Sequence, residues 1–381
     1  MIDLEALANA VRDLDDPAGA GVGPVAKTLG ELLIPTDDDP KELLKFRFLW
    51  RGGALLLVGP TGIGKSSFAM QAMILWALGL PAFGFTPARP LKSVLVQAEN
   101  DEGDLAEMRD GVIRGLGLTP EQAAQACLNV LVVREDSQTR MAFVQLVLRP
   151  LLSTHRPDLL WIDPALAYLG GEASSQKDVG EFLRNMLNPL LHEFECGCIL
   201  LHHSNKPATG TERREWQGGE FAYLGSGSIE WANWARGVIV LRSIGSHTVF
   251  ELHVGKRGGR LRWKEADGVT PCYSKLIKHS SQPGVICWEL AGPEDVPAGA
   301  KVARRPMKDD VLIHVPTDKP IWKDALRSKA NGAGIAVNKI NPLIAELIDE
   351  GVLHEWLVKR SGTRPKIMLA RFPQADGELG V

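Results

Sequence analysis

Between residues 54 and 203 the chain repeats one pattern. Short runs that are apolar on both faces, ALLLVG (54–59), SVLVQA (93–98), LNVLVV (128–133), LLWIDP (159–164) and CILLHH (198–203), alternate with longer amphipathic stretches at 65–79, 101–116, 138–153 and 177–194. An apolar run of strand length predicts a strand covered on both sides, and an amphipathic stretch predicts a helix with one buried face. Their alternation predicts an α/β fold with a mainly parallel sheet between helical layers. After residue 236 the runs GVIVLR, TVFELHV, RLRW and VICWEL follow one another without helical stretches. These predict antiparallel strands that extend the sheet.

The flanks differ in character. Residues 1–40 carry acidic clusters (Asp13, Asp15, Asp16; Asp37, Asp38, Asp39) with scattered Gly and Pro, which predicts an arm or linker with one short helix. The α/β domain is expected over 41–290, and AGPEDVPAGAK (291–301) reads as a linker. Residues 302–373 form a second unit, followed by a tail at 374–381. Within it, IWKDALRSKANG and IAVNKINPLIAELIDEGVL predict two helices, and HEWLVKRSGTRPKIMLARF predicts two strands around a basic Ser-Gly turn. Helix, helix, basic hairpin is the pattern of a small α+β winged helix. The second helix is then expected in a duplex major groove, with Lys359, Arg360, Arg364 and Lys366 near phosphates. Winged helices also serve as protein-interaction modules. Pro342 falls in the first turns of that second helix, where it is tolerated.

Bulk numbers narrow the classes. Of 381 residues, 45% are hydrophobic and 23% charged, with a net charge of −3. That argues against coating nucleic acid through bulk charge and leaves room for local basic patches. No apolar run reaches the roughly 18 residues that span a bilayer, and the acidic start lacks a signal-peptide pattern. The five cysteines form no regular framework. A cytoplasmic, reduced protein without a membrane partner is expected.

One stretch carries specific chemistry. GPTGIGKS (59–66) fills every fixed position of G-x-x-x-x-G-K-[ST], with an apolar strand before it and a helix after it. The loop of Gly59, Pro60, Thr61, Gly62, Ile63, Gly64, Lys65, Ser66 and Ser67 is expected to cradle the polyphosphate of ATP, with its backbone N–H groups, which Pro60 lacks, aimed inward. Lys65 would reach the β- and γ-phosphates, and Ser66 would bind Mg²⁺. Asp163 ends the strand LLWID, where a metal-holding aspartate is expected. Pro164 follows it, so the catalytic carboxylate must come from elsewhere. Glu99, at the end of SVLVQAE, is the candidate, because carboxyl-terminal strand ends line the ligand crevice of a parallel sheet. Glu99 could instead serve as a solvated helix cap beside Asn100, Asp101, Glu102 and Asp104.

ECGCILLHHSNK (195–206) poses a separate question, since closely spaced Cys and His can bind zinc. At about 3.3 Å per residue, Cys198 and His202 lie roughly 13 Å apart along a strand. One zinc ion, with ligands about 2.0–2.3 Å away, cannot hold both. The cysteines therefore read as small buried residues, and only one of the adjacent histidines can face the nucleotide.

Five stretches taken together resemble the RecA-like ATPases, and within them the RepA-type hexameric replicative helicases of plasmids and phages. They are GPTGIGKSS, VLVQAEND, DLLWIDPALAYLGGEASSQKDVGEFL, GCILLHHSNK, and GSGSIEWANWARG followed by VGKRGGRLRW. The resemblance covers about 50 to 290. It implies Glu99 as the water-activating base, Asp163 as the metal ligand, and a ring, usually of six subunits, with ATP at each interface. It favours His203 as a polar sensor between phosphate and DNA, with His202 left to a structural hydrogen bond. Arg236 in WANWARG is then the first candidate for the cation that reaches a neighbour's nucleotide, before Lys256 and Arg257 in VGKRGG. Relatives often carry K-x-R-x-G there, so the K-R-G-G-R spacing departs from the pattern and Arg260 becomes an alternative. The loop between Lys206 and Gly225 is long, polar and Gly-rich. The resemblance places it in a central channel, with Lys206, Arg213 and Arg214 on phosphates of single-stranded DNA, and Trp216, Phe221 and Tyr223 stacking on bases. The expected function is a ring-forming DNA helicase or translocase of a mobile-element or phage replication system, together with that system's proteins. The alternative is a DNA-binding ATPase that loads, mediates recombination or regulates without unwinding. A small-molecule kinase using the same loop is a third class, disfavoured because no acceptor-binding insertion is evident.

Overall fold

In a computed structural model, the described residues are 26–204, 223, 225–244, 248–265, 267–296, 308–333, 335, 337–358 and 365–373. Contacts divide the chain into two units, residues 1–300 and 301–381.

The first unit is built on a nine-stranded sheet. Its strands are β3 (Ala54–Gly59), β4 (Ser93–Gln97), β5 (Val130–Arg134), β6 (Leu159–Asp163), β7 (Gly197–His203), β8 (Gly237–Ser243), β9 (Val249–Lys256), β10 (Ser274–His279) and β11 (Trp288–Leu290), after a hairpin of β1 (Glu42–Leu44) and β2 (Leu49–Trp50). The order across the sheet is β11-β10-β9-β8-β3-β7-β6-β4-β5. Pairs from β8 to β5 are parallel, and β8–β9, β9–β10 and β10–β11 are antiparallel. This mainly parallel sheet with an antiparallel extension is the expected α/β architecture.

β3, β4 and β6 are buried at every position because each face carries its own core. On one face lie the helices α1 (Lys65–Ala77), α2 (Glu102–Gly115) and α3 (Pro120–Asn129). The other face carries the helical stretches at 140–155 and 176–193 and the short helix Glu230–Trp234. Local chemistry sets the helix starts. Asp101 accepts the N–H of Asp104 at the head of α2, and Thr119 accepts that of Gln122 at the head of α3, with Pro120 at its first position. The two long helical stretches widen into π-helical turns at Phe143–Leu148 and Glu181–Leu187. Pro150 and Pro189 lie just beyond them and lack the N–H that a regular ladder requires.

The expected strand at RLRW is not one. Gly258–Leu261 forms a 3₁₀ turn between Arg257 (φ 63°) and Arg262 (φ 55°), which lets Leu261 and Trp263 turn inward. VICWEL contributes only Trp288–Leu290, because Ile286 and Cys287 pack on Gly111 and Gly115 of α2 instead. Toward the N-terminus the only helical turn among the described residues is the short Leu29–Glu31; residues 1–25 lie outside them.

In the second unit, helices Lys308–Leu312, Lys323–Gly332 and Val337–Asp349 enclose a core with a three-stranded antiparallel sheet of order β12-β14-β13. Its strands are β12 (Ile321–Trp322), β13 (His354–Val358) and β14 (Lys366–Ala370). Ile340, Ile344 and Leu347 bury one stripe of Val337–Asp349, and Pro342 is exposed on the other side. Among the described residues no helix is long and apolar enough to cross a membrane.

Candidate functional site

β3 runs into the loop Gly59–Ser66, and α1 begins at Lys65. Gly64 makes the turn at φ 94°, and a Cβ there would sit 2.7 Å from the Trp288 ring, so only glycine fits. The amides of the loop thereby converge at the start of a 13-residue helix, where partial positive charge gathers. Lys65 is buried and donates to the carbonyls of Gly59 and Pro60, 2.9 Å each. Burial holds its pKa below the usual lysine range, against the opposing pull of Asp163 and Glu99. Two positions of the loop point away from the crevice. Ile63 packs in the core, and the Ser67 hydroxyl donates to Gly64 O while accepting from Trp288 Nε1. These two can offer a phosphate their amides alone.

The sheet register brings the acids to the same end. Asp163 closes β6 opposite Gln97 of β4, and its Oδ2 accepts from Ser66 Oγ (2.6 Å) and Gln97 Nε2 (2.9 Å). Burial raises its pKa, opposed by those two hydrogen bonds. Ser66 and Asp163 supply hard oxygen donors in contact, which suits Mg²⁺. No group of three or more His, Cys, Asp or Glu among the described residues could hold a metal, so an ion here would need phosphate oxygens as well. Glu99 follows two residues after Gln97 with a largely exposed carboxylate.

His203 closes β7 between these groups. Its Nδ1 lies 3.3 Å from Lys65 Nζ and 3.2 Å from Thr61 Oγ1. Lysine can only donate, so Nδ1 accepts and the ring proton sits on Nε2, which faces Glu99 Oε1 at 3.7 Å. The chain then leaves the sheet at Ser204, whose N–H donates to Gly59 O, and returns at Gly225, bridged to Ser204. Ser226 N–H donates to the His203 carbonyl at 2.8 Å. Lys206, Arg213, Arg214, Trp216 and Phe221 lie outside the described residues; Tyr223 is exposed beside this stem.

His202 faces the other way. It is fully buried, stacks on Trp231, and its Nε2 meets Ser226 O at 2.7 Å. Burial pushes its pKa down to about 4 from 6.5, more than the bond to Ser226 raises it. The unfolded chain therefore takes up a proton between pH 6.5 and 4 that the folded chain refuses. Stability should be full above pH 6.5, fall as the pH drops toward 4, and level off below. This group alone should remove about 2 kcal/mol by pH 5. Urea unfolding at pH 8 and 5 measures it, and His202→Gln should flatten that part of the profile. Cys196 and Cys198 are buried as well, and burial pushes the Cys196 thiol up to about 12.

The remaining cations lie elsewhere. Arg236 N–H donates to the carbonyl of Ala54, the first residue of β3, and Lys256 pairs with Val238. Arg236 is thus at the end of the sheet opposite the phosphate loop, about 17 Å along β3 from Gly59, while Lys256, through Val238, lies level with Leu56, about 10 Å from Gly59. Trp50 anchors this end, with the guanidinium groups of Arg257, Arg236 and Arg47 at 4.6, 5.5 and 5.8 Å from its ring. Burial, then Arg260, Arg236 and Arg47, push the Arg257 pKa down to about 10. Arg257 also donates to Arg47 O, and Arg260 to Phe46 O. Lys256 donates to the carbonyls of Ala232, Asn233 and Ala235, closing the end of helix Glu230–Trp234. Within its own chain its ammonium is thus engaged by three carbonyls. Arg236 remains exposed. In the second unit Lys366 is exposed at the start of β14, and Lys359, Arg360 and Arg364 lie outside the described residues.

Gln97, Trp50 and Arg47 escaped the sequence reading. A polar residue inside the apolar run SVLVQ was the available signal for Gln97.

An AAA domain family model matches residues 27–209, a span that contains the phosphate loop, Gln97, Glu99, Asp163 and His203. Solved structures that match include the crystal structure of the RadB recombinase, at 13% identity and a TM-score of 0.39 over 60% of this chain and 88% of that chain. No curated protein matches.

Proposed function

We propose that the chain is an ATP-hydrolysing motor on DNA, a ring-forming helicase or translocase of a mobile-element or phage-type replication system. The observation that carries this reading is the double use of His203. Its ring touches Lys65 and Thr61 and faces Glu99, while its carbonyl accepts the N–H of Ser226, the second described residue after position 224. A change at the phosphate is thus one residue away from the segment proposed to carry Lys206, Arg213 and Arg214 onto single-stranded DNA.

In this reading the loop amides and Lys65 hold the triphosphate of ATP. Ser66 and Asp163 hold Mg²⁺, which would neutralise charge on the β- and γ-phosphates. Glu99 orients a water molecule and accepts its proton, and the exposure of its carboxylate leaves room for that water. Arg236 cannot reach the phosphate loop of its own chain, so it serves an adjacent copy; this supports a closed homo-oligomer, proposed as a hexamer. The second unit is proposed to be a winged helix. The exposed Asn338, Lys339 and Asn341 at the start of Val337–Asp349 face a duplex, and Lys359, Arg360, Arg364 and Lys366 lie on the wing.

Steady-state ATP hydrolysis with and without DNA tests the reading. Single-stranded DNA should raise turnover severalfold, and a forked duplex should be unwound in the same buffer. Hydrolysis indifferent to every DNA tried rules out the motor. Stimulation without strand displacement leaves a DNA-dependent ATPase that loads or regulates.

A further inference from the structure

Gln97 is fully buried at the end of β4, in a strand otherwise made of Val94, Leu95 and Val96 beside the buried Ser93. A buried amide costs stability unless both of its ends are bonded. Here both are. Nε2 donates to Asp163 Oδ2 at 2.9 Å, and Oε1 accepts the backbone N–H of Glu99 at 2.9 Å. The ladder of the sheet reaches one residue past β4, where Ala98 N–H donates to Asp163 O. Glu99 is the first residue beyond it, and its N–H is held by the Gln97 side chain. The amide is planar, so its two bonds fix the aspartate and the glutamate backbone relative to one another.

We propose that Gln97 is a positioning residue which sets the Asp163 carboxylate for the metal and the Glu99 main chain for the water through one rigid group. The proposal rests on the ATPase reading above. Asp163 Oδ2 also accepts from Ser66, so a single oxygen collects the α1 side and the β4 side of the crevice. Without Gln97 that oxygen loses one of its two donors, and Glu99 loses the acceptor that holds its main chain. Both consequences fall on metal-dependent binding and on turnover. Neither falls on the loop amides and Lys65, which contact other groups.

The test measures equilibrium ATP binding in Mg²⁺ and in EDTA, turnover, and thermal melting for the full chain and two variants. Gln97→Met keeps the volume and removes both bonds. Its affinity for ATP in EDTA should stay within about twofold of wild type, while the affinity gained on adding Mg²⁺ should shrink about tenfold and turnover should fall about 100-fold, the range seen when a metal ligand loses its outer partner. Gln97→Asn retains the amide one methylene shorter and can complete one bond, so it should fall between Met and wild type in both measures. A Met variant that melts like wild type and keeps its Mg²⁺ gain and turnover overturns the proposal. So does one whose affinity falls equally in Mg²⁺ and EDTA, which marks general packing damage. If the Met variant does not fold, an Asn variant with wild-type Mg²⁺ gain and turnover overturns it. A wild-type chain that binds no ATP in either buffer sinks the ATPase reading and this inference with it, a result distinct from wild-type binding with indifferent variants.

Discussion

Glu99→Gln should bind ATP and Mg²⁺ as the wild type does and hydrolyse about 10²- to 10⁴-fold more slowly, the span expected when a positioned base is lost. The glutamine fills the same space and keeps the backbone N–H that Gln97 holds, so the loop geometry survives. Only the proton acceptor goes. His203 cannot replace it, because the ring nitrogen that faces Glu99 already carries the proton once Nδ1 accepts from Lys65. Asp163 cannot replace it either, since its Oδ2 is engaged by Ser66 and Gln97 within a buried site. Phosphate release together with equilibrium nucleotide binding checks the prediction. Turnover above a tenth of wild type would place the base elsewhere and leave Glu99 as the solvated residue before Asp101, the true cap of α2. The pattern also separates Glu99 from Gln97: the first variant should lose turnover at unchanged metal-dependent binding, the second should lose both.

The parts of this site that were legible in the sequence are those whose chemistry is local. A strand apolar on both faces must lie inside a covered sheet, so the patterns ALLLVG, SVLVQ and LLWID alone place the loop, Glu99 and Asp163 at the carboxyl end of one sheet. The fixed glycines and Lys65 demand one backbone shape. What escaped depends on tertiary contacts. RLRW alternates like a strand, but Leu261 and Trp263 find the core by turning, and two arginines with positive φ accept that turn. The strand expected from VICWEL is cut short because α2 carries Gly111 and Gly115 four residues apart, a flat surface on which Ile286 and Cys287 settle. The hairpin Glu42–Trp50 has strands of three and two residues, too short for any periodicity, and its turn uses Phe46 and Arg47 at positive φ where glycine is usual. Lys256 shows the same limit from the other side. Its motif marks a cation, and only the fold reveals that three carbonyls of its own chain accept from it.

Arg236→Ala should reduce turnover about 10³- to 10⁵-fold in an assembled oligomer, the effect of removing a cation from the transferring phosphoryl group, with ATP binding to isolated chains unchanged. The reason lies in the register of the sheet. Arg236 joins β3 at Ala54, and the phosphate loop starts at the far end, Gly59. An arginine side chain extends about 7 Å, well short of the strand length between them, roughly 17 Å. Any phosphate it meets therefore belongs to another copy. In the proposed oligomer the surrounding charge suits such a partner. Trp50 supports three guanidinium groups, and burial first, then the charge of Arg260, Arg236 and Arg47, disfavours the Arg257 cation, so an incoming anion offsets both as it binds. Mixing separates this from a role within one chain. Lys65→Ala lacks the phosphate anchor and keeps Arg236; Arg236→Ala lacks the arginine and keeps the anchor. Each alone should be inactive. Mixed oligomers place an intact loop beside an intact Arg236 at a fraction of interfaces, so turnover should reappear on mixing and scale with the ratio of the two. A mixture as inactive as its components would confine Arg236 to its own subunit, as a surface cation stacked on Trp50. Full turnover by Arg236→Ala alone would pass the role to Arg257 or Arg260 on the same platform.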